Sequence, residues 1–207
     1  MSGDPLRVAC LVSGGGRSVI NLQDRIERGQ VPARVVLVAS TRPGVAAIER
    51  CRARGLPVAE VAREPADTLD DRLDGTLQAA GAELVVLAGY LRLFRVRAWT
   101  DRCINIHPAL LPCHGGRGMW GHHVHQAVLD AGDRDSGCTV HWVDDRYDHG
   151  ASILRRTCPV VPGDTADTLA ARVFEQELEA LPEAVTRVAR WIRHGGPRPG
   201  PSAPTRG

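Results

Sequence analysis

Apolar residues in this chain come in short runs, separated by stretches with a helical repeat. Residues 6–12 form an apolar run that stops at Ser13-Gly14-Gly15-Gly16, and residues 18–28 carry a helical pattern. Residues 35–40 predict a second strand, 45–54 a helix closing at Gly55, 57–61 a short strand and 67–80 a helix. Leu84-Val85-Val86-Leu87-Ala88 reads as a fully buried strand, and 104–107 as another. This alternation predicts a doubly wound α/β fold: one mostly parallel sheet with helices on both faces. Beyond a helix at 121–131, the β-rich runs 138–143 and 152–160 predict antiparallel strands added at the sheet edge. A long helix at 165–194 is expected to bend near Pro182. The Gly-Pro-Arg-Pro-Gly-Pro composition of 195–207 predicts a disordered tail after one domain spanning 1–194.

Composition adds exclusions. With 207 residues, one sizeable core is expected, and 43% hydrophobic with 24% charged content is ordinary for a globular protein. A formal charge of +2 argues for neither nucleic acid nor a membrane surface as partner. The apolar runs are too short to cross a bilayer, and no charged start with an apolar core suggests a signal peptide. The cytoplasm is the default expectation. The six cysteines show no C-x-x-C spacing; Cys10, Cys103 and Cys138 fall in expected strands as apolar residues, and Cys113 falls in a loop.

The carboxyl ends of parallel strands are where α/β proteins place ligands, and Ser13, Gly89 and His107 all fall there. In Cys103-Ile104-Asn105-Ile106-His107-Pro108 the strand period puts the Asn105 amide and the His107 imidazole on one face. An amide can donate to a developing oxyanion and an imidazole can exchange a proton near neutral pH, which is the chemistry of acyl transfer. A hydrogen-bonded core histidine is the bland alternative. Ser13-Gly14-Gly15-Gly16-Arg17-Ser18 follows a strand and opens a helix, where glycines and unpaired N–H groups suit a phosphate. A plain strand-to-helix turn remains the other reading, and no Gly-Lys-Ser/Thr makes it a Walker loop.

The segment Asn105-Ile106-His107-Pro108-Ala109-Leu110-Leu111-Pro112 resembles the Asn-x-His-Pro-Ser-Leu-Leu-Pro signature of the formyltransferases that use 10-formyltetrahydrofolate. From Leu6 to about Arg193 the chain is similar to the branch of that family acting on glycinamide ribonucleotide in purine synthesis. The resemblance implies a formyltransferase fold and transfer of a formyl group from the folate to that amine. It implies catalytic roles for Asn105, His107 and Asp148, the last matching the aspartate of a Val-x-x-x-x-Asp-x-Gly turn at 143–150. It implies folate contacts through Leu91, Arg92, Leu93 and Phe94, through Val143 and Asp144, and through His141. The acceptor phosphate would sit on Ser13, Gly14, Gly15, Gly16, Arg17 and Ser18, with Pro108 and Glu177 completing the acceptor site. Arg17-Ser18 stands where the family commonly has Ser/Thr and Asn, which adds a cation or marks another small amine, such as an amino sugar, as acceptor.

On this reading Asp148 orients His107 and raises its pKa. Asp144 and Asp145, read without the resemblance, are solvated loop acids. Arg117 is expected to shape the cleft, and His125 matches a family histidine at a helix start. His141 could equally be a core histidine. His122, His123 and His125 lack the ligands that would complete a zinc site, and no metal is expected. Arg63 and Arg72 are out of register with the family's arginine near the folate mouth. The added C-terminal barrel of methionyl-tRNA formyltransferases and the N-terminal domain of formyltetrahydrofolate hydrolases are not expected here, which favours the first branch over these two. A monomer or homodimer is expected. A folate or nucleotide binder without turnover would need none of Asn105, His107 and Asp148.

Overall fold

The computed structural model describes residues 4–62, 65–201 and 205–206; Arg63 lies outside them. Their order is β1 (Leu6–Leu11), α1 (Arg17–Glu27), β2 (Ala33–Ser40), α2 (Ala46–Ala53), β3 (Val58–Glu60), α3 (Leu69–Ala79), β4 (Leu84–Leu87) and β5 (Cys103–His107). Then follow α4 (His122–Asp130), β6 (Asp135–Trp142), β7 (Ser152–Pro159), α5 (Ala166–His194) and a two-residue β8 (Thr205–Arg206). The strands lie in one sheet in the order β3-β2-β1-β4-β5-β6-β7-β8. β1 to β5 pair in parallel, while β6 pairs antiparallel with β5 and with β7.

The period-2 rule is visible in which side of the sheet each residue faces. Leu6, Val8 and Cys10 of β1 join one core with Leu84 and Val86 of β4, packed under α1, α2, α4 and α5. Ala9, Leu11, Val85 and Leu87 face the other core, closed by Leu69, Leu73 and Leu77 of α3. Fully burying each Leu or Val among them contributes ~1.5–3 kcal/mol. Because β1 is followed by β2 and β3 on one side and β4 lies on its other side, the strand order reverses between β1 and β4. The loops leaving β1 and β4 therefore diverge and open a crevice at the carboxyl ends of the strands.

Two features of the fold depend on partners distant in the chain. α5 runs through Pro182 as one continuous helix of 29 residues. Proline removes the N–H that would bond to the Leu178 carbonyl, and the Asn21 side chain donates to that oxygen instead at 2.7 Å. Residues 195–201, expected to be disordered, lie against the sheet edge. The Trp142 indole N–H donates to the Pro199 carbonyl at 2.9 Å, and the Arg198 guanidinium sits 4.3 Å over the same ring. A buried indole requires an acceptor, and the tail supplies it. No helix among the described residues is long and apolar enough to cross a membrane.

Candidate active site

The crevice at the strand ends is a cleft of about 630 Å³. Loops 13–18, 88–91 and 116–121 and the turn at 147–148 build it, together with the end of β5 and one face of α5. The first is Ser13–Ser18, braced from every side. The Ser13 N–H donates to Gly89 O at 3.0 Å, its hydroxyl accepts from the Leu91 N–H at 3.2 Å, and Ala47 N–H donates to Gly14 O at 3.0 Å. Gly16 has φ 72°, and an added Cβ would lie 2.7 Å from the Ala47 Cβ, so no other residue fits the turn. α1 then starts without a side-chain cap, leaving its first N–H groups open toward the cleft. This is an anion cradle in form.

Across the cleft, β5 presents Asn105 and His107 on one face, as the strand period requires. Asp148 reaches them from the turn between β6 and β7, where it holds φ 51°, a left-handed conformation that Asp tolerates better than most residues. Its Oδ2 lies 3.5 Å from His107 Nδ1 and accepts from the Gly116 N–H at 3.0 Å; its Oδ1 accepts from Asn105 Nδ2 at 3.3 Å. Antiparallel pairing sets Asn105 opposite His141, and Asn105 Nδ2 lies 3.1 Å from His141 Nε2. His141 Nδ1 lies 2.8 Å from the Trp142 carbonyl. A carbonyl only accepts, so Nδ1 carries the hydrogen and Nε2 accepts from Asn105. By the same logic His107 Nε2, 2.8 Å from the His114 carbonyl, carries the hydrogen, and Nδ1 offers a lone pair beside Asp148.

Electrostatics corrects one expectation. His107 was expected to have a raised pKa; burial, partly opposed by the Asp148 charge, instead holds it below the ordinary imidazole value. Burial alone would raise the Asp148 pKa, but the adjacent His141, the charge that His107 carries once protonated and the Gly116 N–H outweigh it and hold the carboxyl low. The resting pair is thus a neutral imidazole beside a carboxylate. Burial in the cleft pushes Glu177 up to about 7, with the Arg17 charge opposing it. The Arg17 guanidinium lies 3.9 Å over the Phe174 ring, one turn before Glu177 on α5.

The expected site residues divide as follows. Ser13 to Ser18, Leu91, Asn105, His107, Pro108, Asp148 and Glu177 line the main cleft. Arg92, Leu93, Phe94, His141 and Val143 line a smaller adjoining space of about 40 Å³ that shares Asn105 and Asp148 with it. Asp144 lines neither. It lies in the exposed turn, accepting from the Arg146 N–H at 2.9 Å and bonded to His149 Nδ1 at 2.6 Å, so the solvated-acid reading holds for it. Arg117 lines the cleft, and His125 is buried in α4. Arg72 is spent on the Ala62 and Pro65 carbonyls, away from the cleft. Tyr147 and Phe174 line the cleft and were missed. Phe174 stands three residues before Glu177, so the helical repeat alone could have paired them. Among the described residues no group of three or more His, Cys, Asp or Glu side chains could hold a metal ion.

Comparison with known proteins agrees with this geometry. The chain is 37% identical to the chloroplastic phosphoribosylglycinamide formyltransferase of Arabidopsis thaliana over 202 residues, covering 92% of this chain and 69% of that protein. It is 38% identical over 187 residues to the trifunctional purine biosynthetic protein adenosine-3 of Drosophila melanogaster, covering 86% of this chain but only 14% of that much longer protein. The crystal structure of glycinamide ribonucleotide transformylase 1 from Symbiobacterium toebii superposes with a TM-score of 0.84 at 35% identity, covering 91% of this chain and 90% of that one. With residues 6–185 matching the formyl transferase family model, the chain belongs to the formyl transferase family.

Proposed function

We propose that this chain transfers the formyl group of 10-formyltetrahydrofolate to the amine of glycinamide ribonucleotide, in de novo purine biosynthesis. One observation carries the reading. Asn105, His107 and Asp148 converge on one wall of a cleft whose far end is a braced glycine loop at an uncapped helix start. That arrangement suits an acceptor with a phosphate at one end and an amine at the other.

The folate supplies the formyl carbon. His107 Nδ1, with its lone pair free, takes a proton as the acceptor amine bonds to that carbon, and the imidazolium formed faces the Asp148 carboxylate. Asn105 donates the hydrogen it holds on the longer, 3.3 Å bond to Asp148 to the carbonyl oxygen as charge grows there. The carbon–N10 bond then breaks and the proton passes from His107 to N10, directly or through one water. The loop of Ser13 to Ser18 binds the phosphate, with Arg17 adding a cation; Pro108 walls the acceptor and Glu177 holds its amine end. The pterin fits the chemistry of the smaller space: Phe94 and Val143 are apolar walls, and Arg92 and Leu93 offer backbone groups to its polar edge.

Arg17-Ser18 favours a second reading, a formyltransferase acting on an amino sugar or another small amine with the same donor. Incubating the protein with 10-formyltetrahydrofolate and a panel of amines decides between them. Formylation of glycinamide ribonucleotide alone supports the first reading, formylation of sugar amines alone supports the second, and loss of donor without any amine contradicts both. A single catalytic domain over 1–194, a monomeric or homodimeric state and a cytoplasmic location complete the proposal.

A further inference from the structure

We propose that His114 and Asp133, which do not line the cleft, form a positioning pair that fixes the tautomer of His107. The inference rests on the formyl-transfer reading for its kinetic consequence, though not for its structural one. His107 Nε2 donates to the His114 carbonyl at 2.8 Å. With that carbonyl turned elsewhere, the Asp148 carboxylate, 3.5 Å from Nδ1, becomes the strong acceptor beside the ring among the described residues. The hydrogen would then move to Nδ1, and the lone pair to Nε2, on the His114 side of the ring. The direction of one backbone carbonyl therefore decides whether His107 can act as a base.

That direction is unusual. His114 holds φ 52°, a left-handed conformation that residues with a Cβ rarely adopt. Its ring is held by Asp133, with Nε2 2.7 Å from Oδ2. Asp133 is fixed in turn at the end of α4, its N–H donating to the Val128 carbonyl at 3.3 Å. Two residues beyond His114, the Gly116 N–H donates to Asp148 Oδ2 at 3.0 Å. One short segment thus grips both His107 and Asp148, and the pair outside the cleft anchors it. Neither His114 nor Asp133 has a role in the transfer itself, so they are positioning residues.

The test uses the whole chain with Asp133→Ala, and with Asp133→Asn should the first be unstable. Asp133 is 41% exposed, so removing its charge leaves the core intact. Nitrogen-15 NMR of the His107 ring, without substrates, reads the tautomer. The wild type should show hydrogen on Nε2 only, and the variant a mixture with Nδ1. The kcat for formyl transfer should fall about 10-fold. KM for each substrate should stay within about two-fold. Asp133→Glu should restore both readouts. A variant with the Nε2 tautomer unchanged overturns the proposal, whatever its kcat. A wild type that formylates no amine refutes the proposed function, while the NMR result still decides the positioning role.

Discussion

Replacing Glu177 by Gln should make the protein more stable at alkaline pH while weakening acceptor binding. Burial in the cleft pushes the Glu177 carboxyl from its ordinary 4.5 up to about 7, with Arg17 opposing. The unfolded chain ionises this group at the ordinary value. The folded chain holds its proton over the interval between, so the favourable contribution of the buried neutral acid is complete below 4.5 and lost as pH rises through about 7. Above that, the folded state carries an ionised buried group at a cost of about 3 kcal/mol. Gln has the size of protonated Glu and never ionises. Urea unfolding should therefore give nearly equal stabilities for the two proteins at about pH 4.5 and favour the variant by about 3 kcal/mol at about pH 8.5. A stability difference that is the same at both pH values would refute the reasoning. On the proposed function, in which Glu177 holds the acceptor's amine end, the same substitution should also raise KM for the acceptor.

Other consequences follow from the site. Arg17→Ala should raise KM for a phosphorylated acceptor about 10-fold while leaving that for its dephosphorylated counterpart unchanged, as steady-state kinetics on the two would reveal. Equal changes would take Arg17 away from the phosphate. Because burial keeps His107 neutral, the acid limb of kcat/KM should fall below the ordinary imidazole value of 6.5, and a limb above it would contradict the neutral resting base. A Cβ at Gly150 would lie 1.8 Å from the Trp142 carbonyl, so Gly150→Ala must shift the turn carrying Asp148. It should lower kcat at least about 10-fold with the chain still folded by circular dichroism; full activity would show that the turn tolerates displacement.

Much of this was legible in the sequence because its signals are local. The continuous apolar runs at residues 6–12 and 84–88 predict strands, and their carboxyl ends locate Ser13 and Gly89 in the cleft. Asn105 and His107 share a face because side chains alternate along a strand. What was not legible depends on partners distant in the chain. The helix through Pro182 survives because Asn21, 157 residues before Leu178, occupies the freed carbonyl. The tail at 195–201 is held by residues far back in the chain: the Trp142 indole donates to the Pro199 carbonyl and Arg198 pairs with Asp101. The direction of the His107 pKa required knowing how deeply β5 is buried, since the sequence displays the neighbouring charge but not the loss of water. Asp144 and Asp148 sit four residues apart in one turn, yet only Asp148 points inward, anchored by the Gly116 N–H and Asn105.

The central claim is that Asn105 and Asp148 act on the formyl group as it moves. The most direct measurement follows transfer of an isotopically labelled formyl group from 10-formyltetrahydrofolate to glycinamide ribonucleotide by mass spectrometry, in the wild type and in Asn105→Ala and Asp148→Asn. Labelled product from the wild type, with turnover at least ~100-fold lower in each folded variant, is the expected result. Near wild-type turnover in either variant, with its fold intact, would contradict the account.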